Sequence, residues 1–439
     1  MSGAKGAKRW FVLFILSIAC GQIYQLAYLR YSYYDQMLVA FNVTNTELGM
    51  FMTLFGAGSV VCYLVGGIVA MKFSDKILLP FGMISTGLLG FWFAMFPPFG
   101  IALLISFLWS ITTSLVFWPA IINFIRGMGD SSEQGRLYGL FEGLRGITAT
   151  VIGLVIVWLF ANAVDEIAGL RTVILTYSAI CVALGVLVFF VVPANGREKK
   201  ELMSRSGQTS LLAGFGQAFR LPITWIASGL VFCTMMVFDC LGYTTPYLTA
   251  CLGATAAFAA SFGTIRTWGL QMVGGTLGGV IADKVRSSSK TMIGAFAVIA
   301  AGFAALNLLP VQESMVWTAA ILILVFGTAI YVIRGVYFAI LDEARVPASI
   351  NAAVVGIVSC IGFSPDIFVY TVIGNWLDQY PGATGYQMTY WLGAACAVVG
   401  LVLAIAGLKV VKAKKAAAAE SAIEDGAANE DIPEEVATA

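Results

Sequence analysis

Long apolar segments alternate with short polar ones along almost the whole chain. A helix needs about 20 apolar residues to cross a lipid bilayer, and twelve segments are close to that length or above it. Each segment predicts a membrane-spanning helix, and we number these spans 1 to 12. In order, they cover residues 10–35, 46–71, 78–97, 101–125, 135–161, 172–193, 222–249, 255–282, 291–311, 315–341, 349–376 and 388–411.

Two polar stretches set the domain organisation. Residues 194–221 form a charged cytoplasmic connection that separates a first six-helix bundle, residues 1–193, from a second, residues 222–411. Residues 412–439 are rich in Ala, Glu and Asp and predict a disordered cytoplasmic tail. The predicted fold class is an all-α integral membrane protein with twelve transmembrane helices in two pseudo-symmetric six-helix bundles.

Local signals agree with this division. Thr44 and Glu47 have the spacing of a capping box at the start of span 2. The stretch Gly66–Lys76, "GGIVAMKFSDK", ends span 2, and Gly278–Lys290, "GGVIADKVRSSSK", ends its counterpart, span 8. This internal repeat relates the two bundles to each other.

Composition narrows the class of protein. Hydrophobic residues make up 59% of the chain and charged residues 11%, against roughly 25% charged in soluble domains. The net charge of +1 argues against a nucleic-acid partner. There is no histidine, no CxxC pair among the eight cysteines and no phosphate-binding loop motif. We therefore expect no metal, no cofactor and no enzymatic activity.

The basic residues predict the orientation of the chain. With both termini in the cytoplasm, 20 of the 25 Lys and Arg residues lie on the cytoplasmic side and only Arg171 lies outside. The positive-inside rule favours this arrangement, in the inner membrane. The other four basic residues fall within spans: Arg30, Arg145, Arg266 and Arg334.

The end of span 8 carries a family resemblance. Gly279–Lys290, "GVIADKVRSSSK", resembles the G-x-x-x-D-R/K-x-G-R/K loop of the major facilitator superfamily. The first-half copy departs from it, with Met71 at the position of the acid and Asp75 four residues later. The resemblance implies two bundles around one central cavity. It also implies that Asp283 and Lys284, with Asp75, latch the cytoplasmic face.

Span 1 resembles that of one branch of this superfamily, the organophosphate:phosphate antiporters and related organic-anion transporters. These proteins have a tyrosine-rich first span with an arginine ahead of a methionine, as in Tyr28-Leu-Arg30 through Met37. The second arginine of that branch has no match, because its position falls near Val237 and Asp239 brings the opposite charge. Phosphate is therefore not carried over as substrate.

Charged residues within spans usually face a bundle interior or a watery cavity. Arg266 is near the middle of span 8, where a side chain cannot easily reach an interface. Arg30 is nearer the outer end of span 1, and the alternative is that it extends to that interface. Overlaying spans 4 and 10 pairs Trp118 with Arg334. The predicted substrate-binding set is Arg30, Arg145, Arg266 and Arg334, with Trp118 and Tyr34 lining the cavity.

Three acids within spans are candidates for proton coupling, because no histidine is present. They are Glu142, Asp239 and Asp366. Glu142 and Arg145 stand three residues apart and can pair on one face of span 5, either as a structural pair or as part of the substrate site. Asp366 follows Pro365, which predicts a kink in span 11. The alternative for each acid is that it neutralises an arginine.

The sequence predicts a monomeric secondary transporter for a small organic anion, working by alternating access with proton symport or exchange. If each of the three acids within spans neutralises one of the four arginines there, one positive charge remains for a ligand. The alternative is a neutral polar solute, a sugar or nucleoside, or a lipid, with the arginines serving structure and gating. A membrane receptor is expected to carry a soluble signalling domain, and an enzyme a reactive cluster; the sequence indicates neither.

Overall fold

The computed structural model describes residues 3–129, 133–193 and 211–430, and the regular structure in these ranges is entirely helical. Eight helices in the described part are long and apolar enough to cross a membrane alone. A ninth is reached if the bent pair Asn45–Tyr63 and Val65–Lys72 counts as one span. The remaining predicted spans, 1, 8 and 11, are interrupted or carry polar residues in their centres.

The first bundle holds spans 1 to 6. Span 1 runs as Gly3–Ile23, a 3-10 turn at Leu29–Tyr31 and Tyr34–Phe41. Span 4 runs as Phe99–Ser110, a π-helical segment at Ile111–Phe117 and Trp118–Arg126. Spans 2, 3, 5 and 6 are the helices Asn45–Lys72, Asp75–Phe93, Gln134–Ala161 and Glu166–Val191. The first of these bends by 60° between Tyr63 and Val65.

The second bundle repeats this plan. Span 7 runs as Pro222–Gly242 and Thr244–Ala250, and span 8 as Ala256–Thr264, a π-helical segment at Ile265–Gly269 and Leu270–Val285. Span 11 runs as Ala348–Gly362, a 3-10 turn at Ser364–Ile367 and Val369–Gln379. Spans 9, 10 and 12 are Ser288–Leu308, Val316–Val336 and Ala383–Glu430. Short helical pieces at Leu211–Arg220, Glu313–Met315 and Ala339–Glu343 connect them.

The helices of spans 1, 7 and 11 are each broken within the span. The predicted kink at Pro365 is confirmed, because the ring removes a backbone donor and span 11 changes there to a 3-10 turn. Span 1 breaks around Arg30, although the sequence predicted a continuous helix over 10–35. Span 7 breaks at Tyr243. Broken spans free backbone polar groups, which lipid cannot satisfy, so these breaks must lie inside the protein.

The predicted connection and tail are only partly described. Residues 194–210 and 431–439 lie outside the described residues, and Leu211–Arg220 is a helix within the predicted connection. The last helix continues to Glu430 and therefore enters the segment predicted as a disordered tail. Its alanines, lysines and glutamates all have high helix propensity, which favours this continuation.

The two ends of the molecule differ in their loops. We call the end with Lys76, Arg126 and Lys284 the basic end, and the end with Arg171 and Asp378 the far end. Large apolar side chains cover the outside of both bundles; Phe190, for example, is 74% exposed. In a membrane protein such a surface faces lipid.

Candidate functional site

A cavity of about 450 Å³ lies between the two bundles. Its wall contains seven tyrosines, four phenylalanines and the tryptophans Trp118 and Trp268. Spans from both bundles contribute, including spans 1, 2 and 5 of the first and 7, 8, 10 and 11 of the second. The volume is within the range of small-molecule sites, which is about 300–1,000 Å³. The predicted central cavity is therefore present, and it is mainly aromatic.

Arg334 lines this cavity from span 10. Its guanidinium carbon lies 4.1 Å from the Phe238 ring centroid and 5.6 Å from that of Tyr331. It forms no ion pair with a carboxylate among the described residues. Arg334 therefore faces the cavity as a cation held by aromatic rings.

Arg145 is the second cation of the cavity. It pairs with Glu142, as predicted, through distances of 3.1 and 3.2 Å from Nη1 to the two carboxylate oxygens. Its guanidinium carbon lies 5.4 Å from the ring centroid of Trp118 and 5.6 Å from that of Tyr24. Trp118 thus contacts Arg145, whereas the overlay of spans had paired it with Arg334. Gln271 of the second bundle donates to Glu142 at 3.3 Å.

Arg30 lies outside the cavity, although it was predicted to face the substrate. Only 2% of its surface is exposed, so it does not extend to an interface either. Three tyrosine rings surround its guanidinium carbon, at 4.6 Å for Tyr243, 4.8 Å for Tyr370 and 5.2 Å for Tyr34. Its three guanidinium nitrogens have no hydrogen-bond partner among the described residues. We call this arrangement the Arg30 cage, and Tyr34, predicted to line the cavity, belongs to it.

Arg266 is also buried away from the cavity, at 2% exposure. It donates hydrogen bonds to the carbonyl oxygens of Leu241 and of Tyr31, and to the Thr267 hydroxyl at 3.1 Å. Tyr31 belongs to the first bundle, so Arg266 joins the two bundles. Of the four arginines predicted to bind substrate, Arg145 and Arg334 line the cavity, whereas Arg30 and Arg266 do not. The substrate-binding role stays a prediction for all four.

Asp239 contacts Tyr370 of the Arg30 cage, and Asp366 lies on the 3-10 turn of span 11, which packs against the helix of Asp239. Asp239 is fully buried and accepts a hydrogen bond from the Tyr370 hydroxyl, which is itself 2.6 Å from the Tyr31 hydroxyl. Asp366 lines the cavity. Neither acid lies within 4 Å of an arginine nitrogen in an ion pair among the described residues, and the neutralisation of an arginine by Asp366 stays a prediction.

The far end is closed by contacts between bundles. The predicted capping box at Thr44 and Glu47 is confirmed. Asp378 of span 11 then accepts from the Asn45 and Thr46 amides, at 3.0 and 2.8 Å, and from both of their side chains. A carboxylate here satisfies free amides and favours the positive end of the helix dipole. Asp378 is thus a cap supplied by the other bundle.

The closure extends inward from this cap. The further bonds between bundles at this end are Asp35 with Thr249 (2.5 Å), Thr53 with Thr371 (2.9 Å) and Ser32 with Thr264 (3.4 Å). Among hydrogen bonds between described residues, none joins the bundles nearer the basic end than Glu142 with Gln271. The cavity lies on the basic side of this closed seam.

The predicted latch residues lie at the basic end. Asp283 and Lys284 are exposed in the last turn of span 8. Asp75 is buried in the first turn of span 3. The nearest described carboxylate cap here is Glu343, which accepts from Ser287 and Ser289 at 2.7 to 3.0 Å within the second bundle. The latch role stays a prediction.

Sequence reasoning missed four residues of the site and its seam: Tyr243, Tyr370, Asp378 and Gln271. The two tyrosines lie at helix breaks. The signal in the sequence that could have connected them to Arg30 is the presence of tyrosines in several spans. Asp378 follows predicted span 11, residues 349–376. It could therefore not be distinguished in the sequence from an acidic residue of an ordinary loop.

The chain is similar to several other proteins. A family model described as the Major Facilitator Superfamily matches residues 9–369. "Inner membrane protein YqcE" of Escherichia coli (strain K12) is 35% identical over 415 residues, which cover 93% of this chain and 96% of that protein. "Inner membrane protein YihN" of the same organism is 28% identical over 409 residues, covering 93% and 97%. A solved D-xylose-proton symporter matches with a TM-score of 0.70 at 16% identity, covering 90% of this chain and 97% of that one.

Proposed function

Because the chain belongs to the Major Facilitator Superfamily and is a secondary transporter, we propose that it carries a small organic anion through the central cavity by alternating access. In such transporters the two bundles rock about a site near the membrane midplane and expose it to each side in turn. The cavity between the bundles is that site, and Arg334 and Arg145 hold the anionic group.

The observation that carries this proposal is that Arg334 faces the cavity without an ion pair among the described residues. A cation within a membrane protein is costly unless it is paired. Arg334 has aromatic neighbours but no carboxylate within ion-pair distance among the described residues. An arginine matches a carboxylate or phosphate with two parallel hydrogen bonds. An anionic solute supplies the partner that the described protein does not.

The aromatic wall adds a second requirement on the solute. Trp118 and Tyr24 present ring faces beside Arg145, and Trp268 faces the same cavity. Flat apolar surfaces beside a few placed polar groups are typical of sites for ring-shaped solutes. A hydroxylated ring with one acidic group, such as a sugar acid, fits both features.

Orientation follows from the basic end, which we place in the cytoplasm with both termini, in the inner membrane. The closed far end is then periplasmic, and the cavity is accessible from the cytoplasm. Transport is coupled to protons by symport or exchange, and the chain works as a monomer. The finer resemblance to the organophosphate:phosphate antiporter branch rests on Arg30 and its neighbouring tyrosines.

Binding to purified protein tests the charge preference directly. D-glucuronate and D-glucose share a ring and differ at one carboxylate, so they form a matched pair. We expect D-glucuronate to raise the melting temperature, since a ligand stabilises the state that it binds. Arg334→Gln is expected to remove this effect, and Lys72→Gln, which removes an exposed cation of span 2, to retain it.

A neutral polar solute is the second candidate function. The aromatic cavity and the structural similarity to a D-xylose-proton symporter favour it. In that case D-glucose stabilises the protein as well as D-glucuronate does, and Arg334→Gln changes neither effect. That result would reject the anion proposal and give Arg334 a structural role.

A further inference from the structure

Two guanidinium groups lie on one tryptophan ring where spans 1 and 5 begin, at the basic end. The guanidinium carbons of Arg9 and Arg136 are each 5.3 Å from the ring centroid of Trp10. Lys8, which directly precedes Arg9, is exposed. We call these four residues the Trp10 cluster. None of them lines the central cavity, so the cluster is separate from the proposed solute site.

Arg9 is held in place by the start of span 5. Its Nη2 atom donates to Glu133 Oε2 at 2.8 Å, which is an ion pair between the two spans. The same nitrogen passes over Gly129, where a Cβ atom would collide with it. The Nη1 atom of Arg9 donates to no described residue. One side of this guanidinium is therefore fixed, and the other is available to a ligand.

Arg136 is an exposed cation whose contact is with the ring of Trp10. It forms no ion pair among the described residues. The cluster thus has three cations and one neighbouring carboxylate, that of Glu133, so two positive charges remain. Uncompensated charge of one sign attracts ligands of the opposite sign. The chemistry of the cluster favours an anion.

The apolar surface of span 5 continues from this cluster. Arg136, Leu140, Ile147 and Val151 follow each other at spacings of four, seven and four residues, which places them on one side of a helix. The three apolar side chains are exposed. This side of span 5 therefore faces lipid, and Arg136 is at its basic end, where the lipid headgroups begin.

Span 1 has the same arrangement. Phe11 and Phe14 are exposed in the helix Gly3–Ile23, directly after Trp10. Tryptophan is enriched where the membrane meets water, with its ring at the level of the headgroups. Basic residues at this level attract anionic lipids. Charged groups and exposed apolar groups thus follow each other along one surface, as the phosphate and the acyl chains do in a lipid.

We propose that the Trp10 cluster binds the phosphate of an anionic phospholipid in the leaflet that borders the basic end. Arg136 and the Nη1 atom of Arg9 donate hydrogen bonds to the phosphate oxygens, and Lys8 adds charge. The planar guanidinium suits this role because it donates two parallel hydrogen bonds to a phosphate. The bound headgroup joins span 1 to span 5 and stabilises the first bundle.

The exposed apolar residues argue for a lipid over a dissolved phosphate. A dissolved anion uses only the cations, whereas a phospholipid also covers Phe11 and Leu140 with its acyl chains. The inference goes beyond the proposed transport function, and it does not depend on the identity of the solute or on the coupling ion.

The melting temperature of purified protein in mixed micelles tests the proposal. Dioleoylphosphatidylglycerol and dioleoylphosphatidylcholine have the same acyl chains and differ in net charge, so they form a matched pair. We expect the phosphatidylglycerol to raise the melting temperature more, since a ligand stabilises the state that it binds. In Arg136→Gln, the mole fraction that gives half of this shift should rise roughly fivefold, the usual effect of one basic residue at an anionic surface.

Arg171→Gln is the matched control. Arg171 is exposed at the far end, and its guanidinium carbon lies 4.9 Å from the ring centroid of Phe96. This variant therefore also removes one exposed cation from a ring face. Its half-shift mole fraction should equal that of the wild type. An equal rise in both variants, or no rise in Arg136→Gln, would overturn the proposed site.

Trp10→Leu tests whether the cluster is a built site. It keeps every charge and removes the ring that holds the two guanidinium groups. The half-shift mole fraction should rise, and Trp10→Phe, which keeps an aromatic ring, should bring it back towards the wild type. A wild-type value in Trp10→Leu would overturn the site, because scattered charges would then be enough. If Trp10→Leu does not fold, Arg136→Gln decides the test, since Arg136 is exposed.

Inorganic phosphate separates a lipid site from a site for a dissolved anion. Added at the same concentration as the phosphatidylglycerol, it should leave the melting temperature of the wild type unchanged. A shift as large as that of the lipid, and lost in Arg136→Gln, would overturn the assignment to a phospholipid.

Discussion

The guanidinium carbon of Arg30 lies 4.6 Å from the centroid of the Tyr243 ring, and this contact crosses from the first bundle to the second. Arg30 has ring contacts but no hydrogen-bond partner among the described residues. A cation on a ring face contributes about 0.5–2 kcal/mol. A contact with a ring face does not need the strict geometry of a hydrogen bond, so it can form again each time the bundles meet. The Arg30 cage is therefore suited to a seam that opens and closes.

Replacing Tyr243 by Leu is expected to loosen the far end. The loss of one cation–π contact, about 0.5–2 kcal/mol, corresponds to roughly a 2- to 30-fold change in an equilibrium. Hydrogen–deuterium exchange of peptides containing Asn45 and Thr46 measures this change, because Asp378 holds those amides only while the far end is closed. Exchange should rise in Tyr243→Leu.

Tyr243→Phe is the matched control for that experiment. It keeps the ring and loses the hydroxyl, which donates to the Tyr370 carbonyl oxygen at 2.8 Å. Exchange close to the wild type is expected. Equal loosening in both variants would assign the effect to the hydroxyl and contradict the role of the ring.

Replacing Asp378 by Asn is expected to weaken the far end from the other side of the seam. Asn keeps one acceptor oxygen but has no charge, and a negative charge at a helix N-terminus contributes about 0.3–2 kcal/mol. Peptides containing Asn45 and Thr46 should exchange roughly 2- to 30-fold faster. Asp342→Asn, at an exposed acid near the basic end, should have no effect on them. If Asp378→Asn exchanges as slowly as the wild type, the cap does not hold the seam.

The overall fold could be predicted from the hydrophobic pattern, because the number and length of the apolar segments can be counted in the sequence. The positive-inside count likewise needs only the positions of Lys and Arg. The division into two bundles followed from the internal repeat. The Arg30 cage could not be predicted in the same way. Arg30, Tyr243 and Tyr370 sit at or beside breaks in spans 1, 7 and 11, and a helical period no longer predicts side-chain direction beyond a break.

Some side-chain contacts at the cavity could likewise not be predicted from the sequence. π-helical segments precede Trp118 in span 4 and contain Trp268 in span 8. Each π turn adds a residue to the helix and rotates the residues after it, and such segments are frequent at functional sites. The pairing of Glu142 with Arg145 was predictable because their stretch of span 5 is regular. The contact of Trp118 with Arg145 was not, because Trp118 comes directly after a π segment.

Replacing Gly49 by Ala is expected to prevent full closure of the far end. A Cβ atom there would collide with the Tyr370 carbonyl oxygen, since spans 2 and 11 cross closely at this point. The backbone oxygen cannot move aside as a flexible side chain would. Exchange of peptides containing Asn45 should therefore rise. Gly67→Ala in the same span is the control, because a Cβ there meets nothing within 4 Å.

The two glycine variants are also expected to differ in melting temperature, because Ala has a higher helix propensity than Gly. Ala in place of a helical Gly stabilises by about 1 kcal/mol when there is room for it. Gly67→Ala should therefore keep or raise the melting temperature, whereas Gly49→Ala should lower it. A Gly49→Ala protein with wild-type exchange would show that the spans adjust without separating.

Neutralising Arg266 and neutralising Arg334 are expected to have opposite consequences. Arg266 is buried and donates to the carbonyl oxygens of Leu241 and Tyr31, and an unsatisfied buried acceptor costs about 1–3 kcal/mol. Arg266→Gln should therefore lower the melting temperature in the absence of solute. Arg334 faces the cavity and donates to no carbonyl oxygen within the described ranges, so Arg334→Gln should melt near the wild type and lose only the shift caused by D-glucuronate. If Arg266→Gln instead keeps its stability and loses the D-glucuronate shift, Arg266 belongs to the solute site and not to the seam.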